Sequence, residues 1–212
     1  MSRQRAKTAV RREQIARAAL ELVARGGLRA FSMVKVARRV GIAPSAIYRH
    51  FAGKDDVLLA ALERFRETVL DNVAAVRRET PRSLERLSRL VARQARLIRR
   101  NATIMPRLAF AEDSAGVASH ARDRVAGVLG GFLDAVADIV REGQRAGEVR
   151  RDVPADVAAL MLFGLLMPAG LLWHLRRGRF DVARHVTAGW RTLRRALAAP
   201  QRKRASPGRR RS

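Results

Sequence analysis

The side chains best suited to chemistry in this 212-residue chain lie in one short stretch, 45–54, and their types favour contact with nucleic acid. Arg49 can bond guanine through two parallel hydrogen bonds, Ser45 can bond a base or a phosphate, and Ala46 can touch a thymine methyl group. Side chains suited to phosphate oxygens, which position a protein on a duplex, follow closely: Tyr48, His50 and Lys54. The stretch therefore predicts a surface that reads bases and holds the backbone beside them.

Two short helices must position those side chains. Ser32 is a suitable N-cap for a helix over about 33–39, because its hydroxyl can accept from an otherwise unpaired backbone N–H. Pro44, whose missing N–H costs nothing in a first turn, begins a second helix that ends at about residue 50. Gly41 lies in the turn between them, and the apolar residues that would face inward are Val36, Val40, Ile42 and Ile47. Two short helices joined by a three-residue turn with glycine are typical of the helix-turn-helix, whose second helix lies in the major groove.

Charge also favours a nucleic-acid partner. The chain carries 44 Lys and Arg residues against 19 Asp and Glu residues, a net charge of +25. Residues 1–55 hold 13 basic and 3 acidic side chains, and residues 194–212 hold 8 basic and no acidic ones. An arginine-rich composition would inflate the total, but a uniform bias would not concentrate the surplus at the two ends. Spacing alone leaves one alternative open, a short surface hairpin with a buried Tyr48 and an ordinary cationic face.

Helix-forming residues dominate the rest of the chain and strand patterns are absent, so we expect an all-α fold. The apolar spacing predicts helices over about 7–25, 55–78, from Pro81 to about 100, 116–145, 155–175 and 181–198, with a short piece at 102–112. The absence of cysteine excludes disulfides, thiolate metal sites and cysteine nucleophiles. His120, His174 and His185 are too scattered for a metal site, and no nucleophile–base pair or phosphate loop is present. We therefore expect no enzyme, no cofactor and no metal.

A longer pattern surrounds the two short helices: Gly27-Leu28-x-Ala30-Phe31-Ser32, then Val36-Ala37-x-x-Val40-Gly41-Ile42-Ala43-Pro44-Ser45-x-Ile47-Tyr48-x-His50-Phe51-x-x-Lys54-x-x-Leu58. Over about residues 10–60 this pattern resembles the DNA-binding domain of the TetR family of bacterial repressors. The resemblance implies an all-α twofold dimer, a C-terminal domain with a small-molecule pocket, and a four-helix interface built from the last two helices of each subunit. Met33 and Val34 depart from it, since members often carry polar residues at the start of the second helix.

The resemblance also assigns DNA contacts. It places these residues against the operator: Pro44, Ser45, Ala46, Tyr48, Arg49, His50 and Lys54. It places Ser32 and Lys35 against phosphates from the bracing helix. Two copies of the motif on a twofold dimer predict a palindromic double-stranded DNA operator, with half-sites about one helical turn apart or somewhat more.

We expect three parts along the chain: a helix-turn-helix DNA-binding domain with a basic N-terminal arm (1–54), a helical effector-binding and dimerisation domain (55–199), and a disordered basic tail (200–212). The large or polar-tipped side chains that could line a small-molecule pocket are Met105, Phe110, Phe132, Met161, Phe163, Met167, Trp173 and His174. Met and Phe at helical spacing are more often plain core, so a structural role for each of them stays open.

Residues 157–173 form an uncharged run that Arg176, Arg177 and Arg179 follow. Such a run suits either a membrane span or a helix that packs on its own core with one face and on a partner subunit with the other. Glycine and proline interrupt the run and no second span accompanies it. We therefore expect no membrane, and a homodimer through the helices at about 155–175 and 181–198.

Three functional hypotheses follow. The first is a cytoplasmic, nucleoid-associated transcriptional repressor that an unknown small-molecule effector releases from its operator. The second is a DNA-organising protein of the same fold without an effector. The third is a membrane-associated protein that uses the run 157–173.

Overall fold

The computed structural model describes residues 2–26, 31–101 and 117–200, and their regular structure is helical. The helices, numbered in chain order, are α1 (Ser2–Gly26), α2 (Met33–Val40), α3 (Pro44–Ile47), α4 (Lys54–Glu79), α5 (Ser83–Asn101), α6 (Val117–Arg145), α7 (Ala155–Leu175) and α8 (Val182–Leu197). Within those residues, extended backbone pairs only in an isolated antiparallel bridge between Val149 and Ala198. The all-α prediction is confirmed.

The first helix begins earlier than the sequence predicts. The apolar stripe predicts α1 from about residue 7, whereas the helix begins at Ser2. Its first turns are rich in Arg, Lys and Ala, which are strong helix formers even where no apolar stripe is present. Further along, Ile15, Ala19 and Val23 are buried and pack α1 against α2 and α4. The basic N-terminal arm is therefore a continuous part of a packed helix.

The predicted N-cap of α2 is present, and Gly41, predicted to lie in the turn, caps the other end. The Ser32 hydroxyl oxygen accepts a hydrogen bond from the Lys35 amide at 3.3 Å, which makes Ser32 the N-cap. At the other end Gly41 has a φ of +75°, a conformation that glycine adopts without steric cost. The Gly41 amide donates to the Arg38 carbonyl and the Ile42 amide donates to the Ala37 carbonyl, so the last carbonyls of α2 are satisfied.

The second helix of the motif is shorter than predicted. α3 ends at Ile47 and not near residue 50. The amides of His50 and Phe51 both donate to the Ile47 carbonyl, at 2.8 and 3.0 Å, and this shared acceptor draws the chain into a turn. Tyr48, Arg49 and His50 therefore follow α3 in a turn instead of continuing the helix.

α4 is shared by the two ends of the molecule. It is 26 residues long and contributes buried residues along its whole length: Val57, Leu58, Ala61, Leu62, Phe65, Val69, Val73 and Val76. It packs against α1, α5 and α6, while α5 and α7 both pack against α8. The indole N–H of Trp190 on α8 donates to Ser88 Oγ on α5 at 2.8 Å, so this large core side chain also has its polar group satisfied.

α6 ends in close contact with the start of α5. A Cβ atom at Gly143 would lie 2.6 Å from Val149 Cγ2 and 2.8 Å from Ser83 Cβ. Both distances are shorter than any normal contact, so the absence of a side chain at Gly143 permits this approach.

α7 is apolar on its outer side as well as its inner side. Its exposed large apolar residues are Val157, Leu160, Met161, Leu171 and Leu175. Exposed Gly164 and Pro168 lie between them. Apart from the adjacent pair Leu160 and Met161, successive spacings of three or four residues place these residues on one face, the outer α7 face. Among the residues that the structure describes, α7 is also a helix long and apolar enough to cross a membrane by length and composition, with a mean hydropathy of 1.9 and 33% of that window buried.

Candidate nucleic-acid interface

The segment that begins at α3 presents most of its polar side chains to solvent. Ile47 is fully buried beneath it, and α3 packs on α2. The residues on the outer side, all exposed except the half-buried Ala46, are Pro44, Ser45, Ala46, Tyr48 and Arg49. Tyr48 is 58% exposed, which excludes the alternative in which this tyrosine is buried. A short helix braced by its neighbour and exposed on one side can enter a major groove.

The start of α2 carries the two phosphate contacts predicted for the bracing helix. Lys35 is exposed, and Ser32 is half-buried with its oxygen occupied by the cap, so only its hydroxyl hydrogen is left to donate to a phosphate. The two departures from the family pattern differ in placement. Met33 is buried in the core and Val34 is exposed, so of the two only Val34 places an apolar side chain at the surface.

Lys54 is exposed as the first residue of α4. Its ammonium nitrogen lies 5.5 Å from the centroid of the buried Phe31 ring, a cation–π distance that holds the side chain against the motif. The long aliphatic stem keeps the charged end in solvent, where a phosphate oxygen could meet it.

His50 lies between α3 and α1, and it lines a groove of about 650 Å³ with side chains of α1. Lys7, Arg11 and Gln14 share this groove because spacings of three and four residues place them on one face of α1. His50 Nδ1 is buried and has no hydrogen-bond partner among the described residues. The contribution of α1 to the same surface as His50 was not predicted, although the helical spacing of Lys7 and Arg11 was an available signal.

The predicted pocket residues are spread over different environments. Phe132 is buried on α6, and Phe163, Met167, Trp173 and His174 are half-buried on α7. Met161 is 51% exposed on the outer α7 face, so the structure does not bring it together with the buried Phe132. Met105, Phe110, the piece predicted at 102–112 and tail residues 201–212 lie outside the described residues.

Gln94 on α5 is a polar residue of the core that the sequence analysis missed. It is 6% exposed, and its Nε2 has no hydrogen-bond partner within the part of the chain that the structure describes. It shares the buried side of α5 with Leu87, Leu90 and Val91. An amide donor left unpaired in an apolar core destabilises the fold, so a hydrogen-bond acceptor is expected to meet this group when a ligand or another group is present.

Ion pairs join α4 to helices on either side. Arg64 pairs with Glu13 of α1 at 2.9 Å, and Arg124 of α6 approaches Glu63 to 3.8 Å. Glu63 also accepts a hydrogen bond from Arg66, and this bond lowers the pKa of the Glu63 carboxyl below its usual value. Within residues 2–26, 31–101 and 117–200, no group of three His, Cys, Asp or Glu side chains is placed to hold a metal ion.

Two family models match the chain. The model described as bacterial regulatory proteins of the tetR family matches residues 15–61, which include α2 and α3. The model described as the C-terminal region of YsiA-like proteins matches residues 63–196. The chain belongs to the TetR family of bacterial regulatory proteins. It is therefore a DNA-binding transcriptional regulator, not an enzyme, and the prediction from the sequence pattern is confirmed.

Relatives in this family support the same fold. The fatty acid metabolism regulator protein of Bacillus subtilis (strain 168) is 23% identical over 171 residues, covering 80% of this chain and 86% of the relative. The solved structure of the fatty acid degradation regulator FadR of Bacillus halodurans has a TM-score of 0.74 at 22% identity, over 87% of this chain and 98% of that one. FadR of Bacillus subtilis in complex with stearoyl-CoA has a TM-score of 0.68 at 22% identity, over 85% and 96%.

Proposed function

We propose that this TetR-family regulator is a cytoplasmic, nucleoid-associated repressor that acts as a homodimer. It binds a palindromic operator, and a long-chain acyl-CoA releases it from that operator. The observation that carries the proposal is the segment from α3 to residue 50, whose polar side is exposed above the buried Ile47. Residues 1–54 would hold the DNA-binding domain, 55–199 the effector and dimerisation domain, and 200–212 a basic tail that adds sequence-independent affinity.

The proposed DNA contacts divide into base contacts and backbone contacts. We assign three residues to base edges. Arg49 can bond guanine, Ser45 can bond a base or a phosphate, and Ala46 can contact a thymine methyl group. We assign contacts with the DNA backbone to the remaining predicted residues: Ser32, Lys35, Pro44, Tyr48, His50 and Lys54. Lys7 and Arg11 extend the cationic surface from α1, since they share the groove of His50.

The proposed dimer forms through the outer α7 face together with α8. That face is a continuous apolar stripe on a helix whose inner side is already packed on α5, α6 and α8. An exposed apolar stripe of this length marks a surface for association. With two motifs related by a twofold axis, the operator must be palindromic.

Three observations support an acyl-CoA as effector. The family model that matches residues 63–196 describes YsiA-like proteins, and a relative matched over 171 residues is a regulator of fatty acid metabolism. A structural relative is described in complex with stearoyl-CoA. The core around α5 is apolar, as an acyl chain requires, and Gln94 supplies a buried amide donor that could meet the thioester or another carbonyl oxygen.

The proposal is tested by selecting duplexes from a random-sequence pool with the full chain, then titrating the selected duplex with stearoyl-CoA. Enrichment of a palindrome and its release by stearoyl-CoA, but not by CoA or stearate alone, are the expected results. Failure to enrich any sequence would contradict DNA reading. An enriched duplex that stearoyl-CoA does not release would contradict the effector class.

A matched deletion separates this function from a DNA-organising role. A chain lacking residues 201–212 should keep the selected sequence preference while its salt-sensitive background affinity falls, because only phosphate contacts release counterions without reading sequence. If the deletion removed the preference itself, the DNA-organising alternative would be favoured.

A further inference from the structure

Arg12 on α1 contacts the turn between α3 and α4 in three ways. Its Nη1 donates a hydrogen bond to the His50 carbonyl, 38 residues along the chain. Its guanidinium carbon lies 4.1 Å from the centroid of the Phe51 ring, and its Nη2 lies 3.9 Å from Asp56 Oδ1. Asp56 Oδ2 in turn accepts from the Ala52 amide at 3.1 Å. Every residue from 50 to 52 is thus held by Arg12 or by its ion-pair partner.

α3 needs this support because it is only four residues long. The last carbonyls of a helix have no partners inside the helix, and a short helix has few hydrogen bonds of its own. α2 ends on a left-handed glycine cap, whereas α3 ends on Tyr48 in a right-handed conformation with φ of −66°. The Arg12 guanidinium provides, from another helix, a donor for the His50 carbonyl in the turn that follows α3.

We propose that Arg12 is a positioning residue for DNA reading, and that it sets the orientation of Tyr48 and Arg49 by fixing the turn that follows α3. This rests on the proposed function of those two side chains. The planar guanidinium is essential because it stacks on Phe51 while its separate N–H groups reach the carbonyl and the carboxylate. A lysine ammonium keeps the charge but cannot make all three contacts at once.

Two other roles for Arg12 predict different outcomes. A phosphate contact would serve every DNA sequence alike, and a charge-conserving lysine would largely preserve it. A contribution to stability alone would lower the unfolding midpoint and leave the sequence preference of the folded protein unchanged. Only a positioning role makes sequence preference depend on the shape of the side chain.

The test compares Arg12→Lys and Arg12→Met with wild type, and Arg17→Lys serves as the matched control on an exposed position of the same helix. Each full-length protein is titrated with the duplex selected by the wild type and with a scrambled duplex, over a range of salt concentrations. Circular dichroism at the assay temperature establishes that each variant is folded.

Arg12→Lys should lower the ratio of selected to scrambled affinity by at least about fivefold, the lower end of what one misplaced base contact costs. Its salt dependence should match wild type, and Arg17→Lys should change neither quantity. An unchanged ratio for Arg12→Lys in a folded protein would overturn the proposal, and so would a loss confined to Arg12→Met with a shallower salt dependence. If the wild type selected no sequence at all, the proposed function itself would fail instead.

Discussion

Replacing Leu160 by alanine should weaken the proposed homodimer about 100-fold. Leu160 is 58% exposed on the outer α7 face, in the first turns of the helix, and the substitution removes three apolar carbons. Burial of one such carbon contributes about 0.8 kcal/mol, so the exposed share amounts to about 1.4 kcal/mol in each subunit. A twofold interface contains the position twice, which doubles the loss to about 2.8 kcal/mol, or about two powers of ten.

The measurement is subunit exchange between donor-labelled and acceptor-labelled protein, followed by energy transfer. Exchange is suited to a tight dimer because mutations at an interface act mainly on the dissociation rate. Val10→Ala is the matched control, since Val10 is 55% exposed but lies on α1. It should leave the exchange rate unchanged.

Two results would refute this reasoning. If Leu160→Ala exchanged within about threefold of wild type, the outer α7 face would not be the interface, because the loss would be far below the expected value. If the wild type were a stable monomer at micromolar concentration, the exposed stripe would need another partner. An equal effect of Val10→Ala would show that exchange reports general destabilisation.

Four further variants follow from the structure. Arg49→Ala should cost about 1–3 kcal/mol of operator binding and relax preference at one base position, while Lys54→Ala should weaken all duplexes alike; titrations with single-base operator variants distinguish them. Gln94→Leu should raise the free energy of unfolding by about 1–3 kcal/mol and weaken stearoyl-CoA binding, as urea unfolding and ligand titration would show; a fall in stability would refute the unpaired amide. Gly143→Ala should lower the free energy of unfolding by about 1–3 kcal/mol, because its Cβ would collide with Val149; an unchanged urea midpoint would contradict that close approach.

The helices and their caps were accessible from the sequence wherever the determinants are local. Ser32 and Gly41 specify the ends of α2 by their own hydrogen bonding and dihedral angles, so both were predicted correctly. The two errors arose where the local signal is weak. The start of α1 has no apolar stripe to mark it, and the end of α3 depends on an acceptor shared by two later amides, His50 and Phe51.

The exposed residues of the candidate site could be predicted from the sequence, but the contacts that hold them in place could not. A helical period shows that Pro44 and Ser45 of α3 leave the core while Ile47 enters it, and the exposed Pro44 and Ser45 and the buried Ile47 agree with that reasoning. The contact between Arg12 and His50 joins residues 38 positions apart, and no spacing rule relates them. Gln94 was missed for a similar reason, since glutamine within a helix is ordinarily solvent-exposed and only the packing of neighbouring helices buries it.

α4 supplies the physical route by which an effector could change operator affinity. At 1.5 Å per residue its 26 residues span about 39 Å, and buried residues along the whole length make it rigid. Asp56, the ion-pair partner of Arg12, lies in its first turn, so a tilt imposed by ligand in the C-terminal core would reach the turn that supports Arg49. The size of that effect has a strict bound. To weaken operator binding about 100-fold, an acyl-CoA must bind the DNA-free form of the protein at least about 100-fold more tightly than the operator-bound form. The reason is that a ligand shifts an equilibrium only by the difference between its affinities for the two states.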